Sequence, residues 1–179
     1  VHAEVCDESS FGEISDMLHS NQVGIGLAIN PDTELPEWCY KFVELLDQII
    51  IMSVVPGKSG QKFIESTHEK TRRITKDLRE HKFEGYIEAD GGVNLENIGA
   101  CFEDGARAFV GGSAIIGQND VRMIIKEFRN QVLESRRRLL IKKAHDLGGT
   151  ELVNSWIDLH VVGEKKDKLV QIAKELGFQ

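Results

Sequence analysis

The sequence predicts an α/β fold in which parallel strands alternate with helices, and three observations point to it. Short apolar runs begin near residues 1, 24, 48, 86 and 108, and each gap between them is long enough to hold a helix. Residues 48–55 are almost continuously apolar, the pattern of a strand covered on both faces of a sheet. The runs end in polar groups or glycines: Glu4, Asn30, Pro56-Gly57, Asp90 and Gly112-Ser113. Right-handed crossovers place all these ends on one rim, where α/β folds bind ligands.

Taken in order, residues 1–5 read as a first strand. Ser10-x-x-Glu13 reads as a capping box opening a helix with Ile14, Met17 and Leu18 on its apolar side. Residues 24–30 form a strand that stops at Asn30-Pro31, and residues 35–46 have helical spacing. The buried strand at 48–55 follows. Ser66-x-x-Glu69 then opens a helix through Ile74 and Leu78. Residues 86–89 form a strand, and Asn94 caps a helix carrying Leu95, Ile98 and Phe102, closed by Gly105. Residues 108–110 run into Gly111-Gly112-Ser113. Asn119 caps a long helix with Val121, Ile124, Ile125, Phe128 and Val132 on one face. Residues 1–132 thus read as one domain. Residues 133–179 read as a helical C-terminal extension, with basic residues at Arg136–Arg138, a break at Gly148-Gly149 and helices at 151–159 and 165–176.

Composition narrows the function classes. The 22 basic and 29 acidic side chains give a net charge of −7, and no basic stretch dominates, so nucleic acid is not an expected partner. No apolar run approaches the roughly 18 residues needed for a membrane span, and no signal peptide is expected. Cys6, Cys39 and Cys101 are odd in number and widely spaced, which argues against a disulfide framework or a thiolate zinc site and fits a cytoplasmic location. A first residue that is Val rather than Met, already in an apolar run, suggests a sequence that begins part-way through a protein.

Asp90 is the first candidate for chemistry. A carboxylate that closes an apolar strand is costly to desolvate unless it is paired or binds a cation. The plain alternative is a helix cap or a loop hydrogen bond. Glu88 lies two residues earlier, on the same face by strand alternation. Three glycine sites share the rim: Gly57 with Gly60, Gly91 with Gly92, and Gly111 with Gly112-Ser113. Glycine lets backbone N–H groups approach an anion, so three such loops at corresponding positions favour a phosphate site over ordinary tight turns. His2 and Glu4 alternate on the first strand, where a histidine is more often a satisfied core group than a ligand.

These residues resemble a known family. Met52-Ser-Val-Val-Pro-Gly-Lys-Ser-Gly-Gln-Lys-Phe63 resembles the sixth-strand motif of the ribulose-phosphate 3-epimerases. Glu88-Ala-Asp-Gly-Gly-Val93 is similar to the seventh, Gly111-Gly-Ser-Ala-Ile115 to the eighth, Gly26-Leu-Ala-Ile-Asn-Pro31 to the fifth and Val1-His-Ala-Glu4 to the fourth. The resemblance is collinear over about residues 1–132. It implies a TIM (β/α)8 barrel of which this chain holds about five βα units, strands four to eight.

The implied activity is inversion at C3 of a ketopentose 5-phosphate, interconverting ribulose and xylulose 5-phosphates in the pentose phosphate pathway of carbohydrate metabolism. Two carboxylates exchange the C3 proton on opposite faces, and a divalent metal cation (zinc, iron or manganese) stabilises the 2,3-enediolate between them. By position, Asp90 resembles the carboxylate that is both metal ligand and acid/base. Gly91, Gly92, Gly112 and Ser113 resemble the phosphate grip, the loop with Gly57 and Gly60 resembles a closing flap, and Met52 resembles a pocket-lining residue.

Two departures stand out. The loop carries Lys58-Ser59 where the family usually has Phe-Gly. The serine, second aspartate and two histidine ligands of the family's first three strands have no counterparts here, and five strands cannot close an eight-stranded barrel. The resemblance implies a small sugar phosphate as ligand, and a homo-oligomer is a candidate assembly, with the C-terminal extension supplying the contacts and covering the open edges. A non-catalytic phosphate-binding or assembly module, or an epimerase for a hexulose 6-phosphate, are the alternatives.

Overall fold

A computed structural model describes residues 1–146 of the chain. A 3₁₀ turn at Ala3–Val5 precedes α1 (Glu8–Ser20), β1 (Gly26–Ile29), a second 3₁₀ segment at Glu37–Phe42 and β2 (Gln48–Met52). Then come α2 (Ser66–Glu80), β3 (Tyr86–Asp90), α3 (Ile98–Asp104), β4 (Ala106–Val110), α4 (Gly112–Ile116) and α5 (Val121–Asp146). The strands form one parallel sheet in the order β1-β2-β3-β4. Strands that run parallel and adjacent need long crossovers, and the helices between them supply these, so every strand ends on the same rim.

Strand alternation splits the sheet into two faces. Leu27, Ile29, Ile49 and Ile51 are at most 1% exposed. With Ile87 and Ala89 they join a core that also contains Phe11 of α1, Ile74 and Leu78 of α2, Ile98 and Cys101 of α3, and Phe128 of α5. On the other face the register aligns Ala28, Ile50, Glu88 and Ala108 in one row and Met52, Asp90 and Val110 in the next. That second face carries the polar groups of the rim. This is the arrangement expected of part of a β/α barrel.

The first segment departs from expectation. Residues 1–5 do not form a full strand, so the sheet has four strands rather than five. Pairing with β1 is limited to a bridge between His2 and Ala28, with Ala28 N–H donating to Val1 O at 2.8 Å. Beyond His2 the chain coils inward as Val5 N–H donates to His2 O. The Glu4 carboxylate accepts from Asn30 N–H at 2.7 Å, taking the place of the backbone acceptor that a continued strand would offer.

Several boundaries also move. α1 opens at Asp7, whose carboxylate accepts from Ser10 N–H while Ser10 Oγ accepts from Asp7 N–H, each at 2.9 Å, so the box is Asp7/Ser10 rather than Ser10/Glu13. Residues 35–46 contain only the 3₁₀ segment after Pro36, which holds an extended ψ of 140°. Ser66 does not cap α2, because Glu65 is already helical (φ −57°, ψ −31°) and Ser66 therefore falls inside the helix. Asn94 accepts from Glu96 N–H at 2.8 Å in a turn that precedes α3, which closes at Gly105 as expected. α5 is capped by Asp120, whose carboxylate accepts from Met123 N–H at 2.9 Å, rather than by Asn119.

By Cα proximity the chain divides into compact units at Val1–Val132 and Leu133–Gln179. The described part of the second unit is the last stretch of α5, in which Arg137 pairs with Glu134 at 3.3 Å. The helices expected at 151–159 and 165–176 lie outside the described residues. Among the described residues no helix is long and apolar enough to cross a membrane. Cys6, Cys39 and Cys101 are free thiols, and burial pushes Cys39 and Cys101 up to about 12.

Candidate active site

At the C-terminal rim, the ends of β2, β3 and β4 and the loops after them enclose a cavity of about 300 Å³. Met52 and Asp90 reach it from paired positions on β2 and β3. Gly91 and Gly92 follow directly, Gly57 and Gly60 come from the loop after β2, and Gly112 and Ser113 begin α4. The eight residues that the family resemblance marks therefore line one cavity, whereas Gly111, Glu88, His2 and Glu4 do not line it. A larger groove of about 620 Å³ adjoins it, sharing Gln61, Gly92 and Ser113, but Asp90 does not reach it.

The two half-buried carboxyls of β3 are tuned in the same direction. Desolvation holds Asp90 above its ordinary value of 3.8, opposed by the charge of His2. Desolvation, with the Asp90 charge behind it, likewise holds Glu88 above 4.5. Glu4, at the edge of the same region, behaves oppositely: burial disfavours its charge, but hydrogen bonds led by Asn30 N–H outweigh this and lower its value. His2 pairs with Glu4 at 3.4 Å.

A carboxyl whose folded value is raised binds its proton more tightly in the native state. Its stabilising contribution is therefore complete below the unfolded value and is lost as pH rises through the folded one. For Glu88 and Asp90 that window opens at 4.5 and 3.8 and extends upward. Glu88→Gln is expected to flatten the fall in stability above this point, measured as the unfolding midpoint against pH. An unchanged profile would show that Glu88 does not titrate in the window.

The turn after Asp90 is possible only for glycine. Gly92 has φ +65°, and a Cβ there would lie 2.4 Å from Phe63 N, within the backbone of the loop from β2. Gly91 has φ +115°, and a Cβ would meet the Val54 side chain at 2.3 Å. The close approach is what brings the β2 loop over Asp90. Asn97 holds the turn from the other side, its side-chain amide donating to Gly92 O at 3.1 Å.

Ser53 was not singled out in the sequence, yet it locks this geometry. It is 1% exposed. Its N–H donates to Asp90 O and its hydroxyl to Gly91 O, both at 2.7 Å, while its carbonyl accepts from Ile64 N–H at 2.8 Å. The available signal was a lone hydroxyl inside the apolar run Ile49-Ile50-Ile51-Met52-Ser53-Val54-Val55. Ser53→Ala is expected to lower stability by about 1 kcal/mol by leaving Gly91 O without its donor. A stability equal to wild type, read from chemical denaturation, would remove that role.

Among the described residues, no group of three or more His, Cys, Asp and Glu is placed to hold a metal ion. Asp90 alone does not make such a site, because hard divalent cations take six or more oxygen ligands and zinc usually three or four protein ligands. The described residues thus do not by themselves fit a catalytic cation.

Comparison with known proteins adds an independent line. The model of the family described as "Ribulose-phosphate 3 epimerase family" matches residues 1–116. A ribulose-phosphate 3-epimerase of Escherichia coli K12 is 40% identical over 116 residues, 65% of this chain and 51% of the relative. A ribulose-phosphate 3-epimerase of Bacillus subtilis is 36% identical over 130 residues, 72% of this chain and 58% of the relative. One of Buchnera aphidicola is 41% identical over 107 residues, 60% of this chain and 46% of the relative. The chain spans about half the length of the curated relatives it matches.

Proposed function

Because this chain belongs to the ribulose-phosphate 3-epimerase family, we propose that it supplies one half of a C3-epimerising site for a ketopentose 5-phosphate, with Asp90 as the proton-transfer group. The observation that supports this reading most is the position of Asp90. Among the described residues it is the only carboxylate lining the 300 Å³ cavity, and burial raises its proton affinity toward the range useful for acid/base catalysis. Met52 beside it offers an apolar, polarisable wall for a planar enediolate.

In this reading the backbone N–H groups around Gly91, Gly92, Gly112 and Ser113 face the phosphate end of the substrate, and C3 sits over Asp90. As a carboxylate, Asp90 takes the C3 proton from one face; as the acid, it returns a proton to that face in the reverse direction. Inversion also needs a second acid/base on the opposite face. A divalent cation, if bound, would supply charge stabilisation of the enediolate, and Asp90 would be one of its ligands, though the described residues do not complete such a site.

The test is exchange of the C3 proton of ribulose 5-phosphate with solvent deuterium, and its conversion to xylulose 5-phosphate, by the full-length gene product that carries this chain. Turnover that survives Asp90→Asn would remove the assigned role. Phosphate binding without exchange or turnover in the wild-type protein would instead leave a non-catalytic phosphate-binding module.

A further inference from the structure

We propose that Lys58 determines specificity at this cavity: its ammonium pairs with the anionic end of the ligand and makes the site selective for phosphorylated over unphosphorylated sugar. Among the described residues Lys58 is the only basic one lining the cavity, as Asp90 is the only acidic one. The side chain is exposed, and its ammonium has no ion-pair or hydrogen-bond partner among the described residues. Its backbone, in contrast, is held. The Gln61 side-chain amide donates to Lys58 O at 2.8 Å and also to Val55 O, tying the loop into a closed turn. A fixed backbone with an unpartnered charged tip is the form expected of a residue whose counter-ion is the ligand.

The charge balance calls for such a cation. Glycine backbone N–H groups present dipoles but no net charge. An ionised Asp90 and a phosphate dianion in one small cavity repel each other, more strongly in a low-dielectric site than in water. Lys58 supplies the compensating positive charge at the cavity wall. A lysine ammonium on a flexible stem acts as a point charge, so it would discriminate by net charge and distance rather than by forked geometry. The identity of the sugar rests on the epimerase reading above; the anion recognition does not.

The test measures binding of inorganic phosphate by calorimetry at two ionic strengths, for wild type, Lys58→Gln and Lys58→Arg, with ribulose 5-phosphate kinetics alongside. Lys58→Gln is expected to weaken phosphate binding by about ten- to a hundredfold, the range for losing one charge-assisted hydrogen bond. It should also reduce the salt dependence of binding, and KM should rise with kcat nearly unchanged. Lys58→Arg should retain most of the affinity.

The proposal is overturned if wild type binds no phosphate, if Lys58→Gln binds as wild type does, or if Lys58→Gln and Lys58→Arg lose affinity equally, since the last would indicate loop geometry rather than charge. Asp90→Asn separates this from the epimerase reading: it should retain phosphate binding. Charge-dependent binding in a wild type that turns over no sugar would leave the Lys58 assignment standing and remove the enzymatic one.

Discussion

Asp90→Asn is expected to lower turnover of ribulose 5-phosphate by about a hundred- to ten-thousandfold, the usual contribution of one positioned acid/base group. Asparagine keeps the size and most of the hydrogen-bonding capacity of aspartate but cannot accept the C3 proton. The same substitution should not weaken the fold. Burial disfavours the ionised carboxylate, so at pH 7 the native state carries an unfavourable term that the neutral amide removes. Asp90→Asn should therefore unfold at a temperature equal to or above wild type, most clearly at neutral pH and least clearly below pH 4. A large loss of stability would show that Asp90 serves mainly as a structural cap, and the loss of turnover could then not be assigned to proton transfer.

Gly92→Ala is expected to damage both the fold and the site. An alanine at φ +65° carries a penalty of roughly 1–2 kcal/mol, and its Cβ would fall 2.4 Å from Phe63 N, against backbone that cannot rotate away. The loop from β2 would have to shift. We expect a stability loss on the order of 2–5 kcal/mol. Turnover should also be lost, because Gly57, Lys58 and Gly60 would move with that loop. Gly112→Ala provides the contrast, since its added Cβ meets nothing within 4 Å. It should fold normally. Equal stability of Gly92→Ala and Gly112→Ala would show that the loop from β2 yields easily at Phe63.

The legible parts of the fold are those set by local pattern. The strands at Gly26–Ile29, Gln48–Met52, Tyr86–Asp90 and Ala106–Val110 follow from apolar runs that cannot stay in water, and their parallel order follows from the helices between them. The turn residues at Gly91 and Gly92 were visible because few other residue types tolerate such a backbone. The helix openings were less legible. Ser10/Glu13 and Ser66/Glu69 have the spacing of a capping box, but the entry angle of the preceding chain decides which side chain faces the free N–H groups. At α1 that is Asp7, and at α2 the turn is already wound before Ser66.

The first segment failed for a related reason. Residues 1–5 have strand composition, yet a strand persists only while each residue finds a backbone partner. Glu4 satisfies Asn30 N–H with its side chain, and pairing stops after His2. Ser53 was missed because a single hydroxyl in an apolar run carries no periodic signal. Its importance comes from Asp90 and Gly91, which lie 37 and 38 positions away along the chain.

The sequence by itself determined the α/β class, the family, and the residue types on the rim: a carboxylate, paired glycines and a lysine-bearing loop. These depend on alternation and backbone freedom, which are local properties. Only the tertiary structure decided that the three loops close on one 300 Å³ cavity, that Asp90 and Glu88 are desolvated together, and that Lys58 is the one cation among the described residues lining it. Those properties arise from parallel register and from backbone contact across strands, where the energy of a charge depends on what lies beside it in space rather than along the chain.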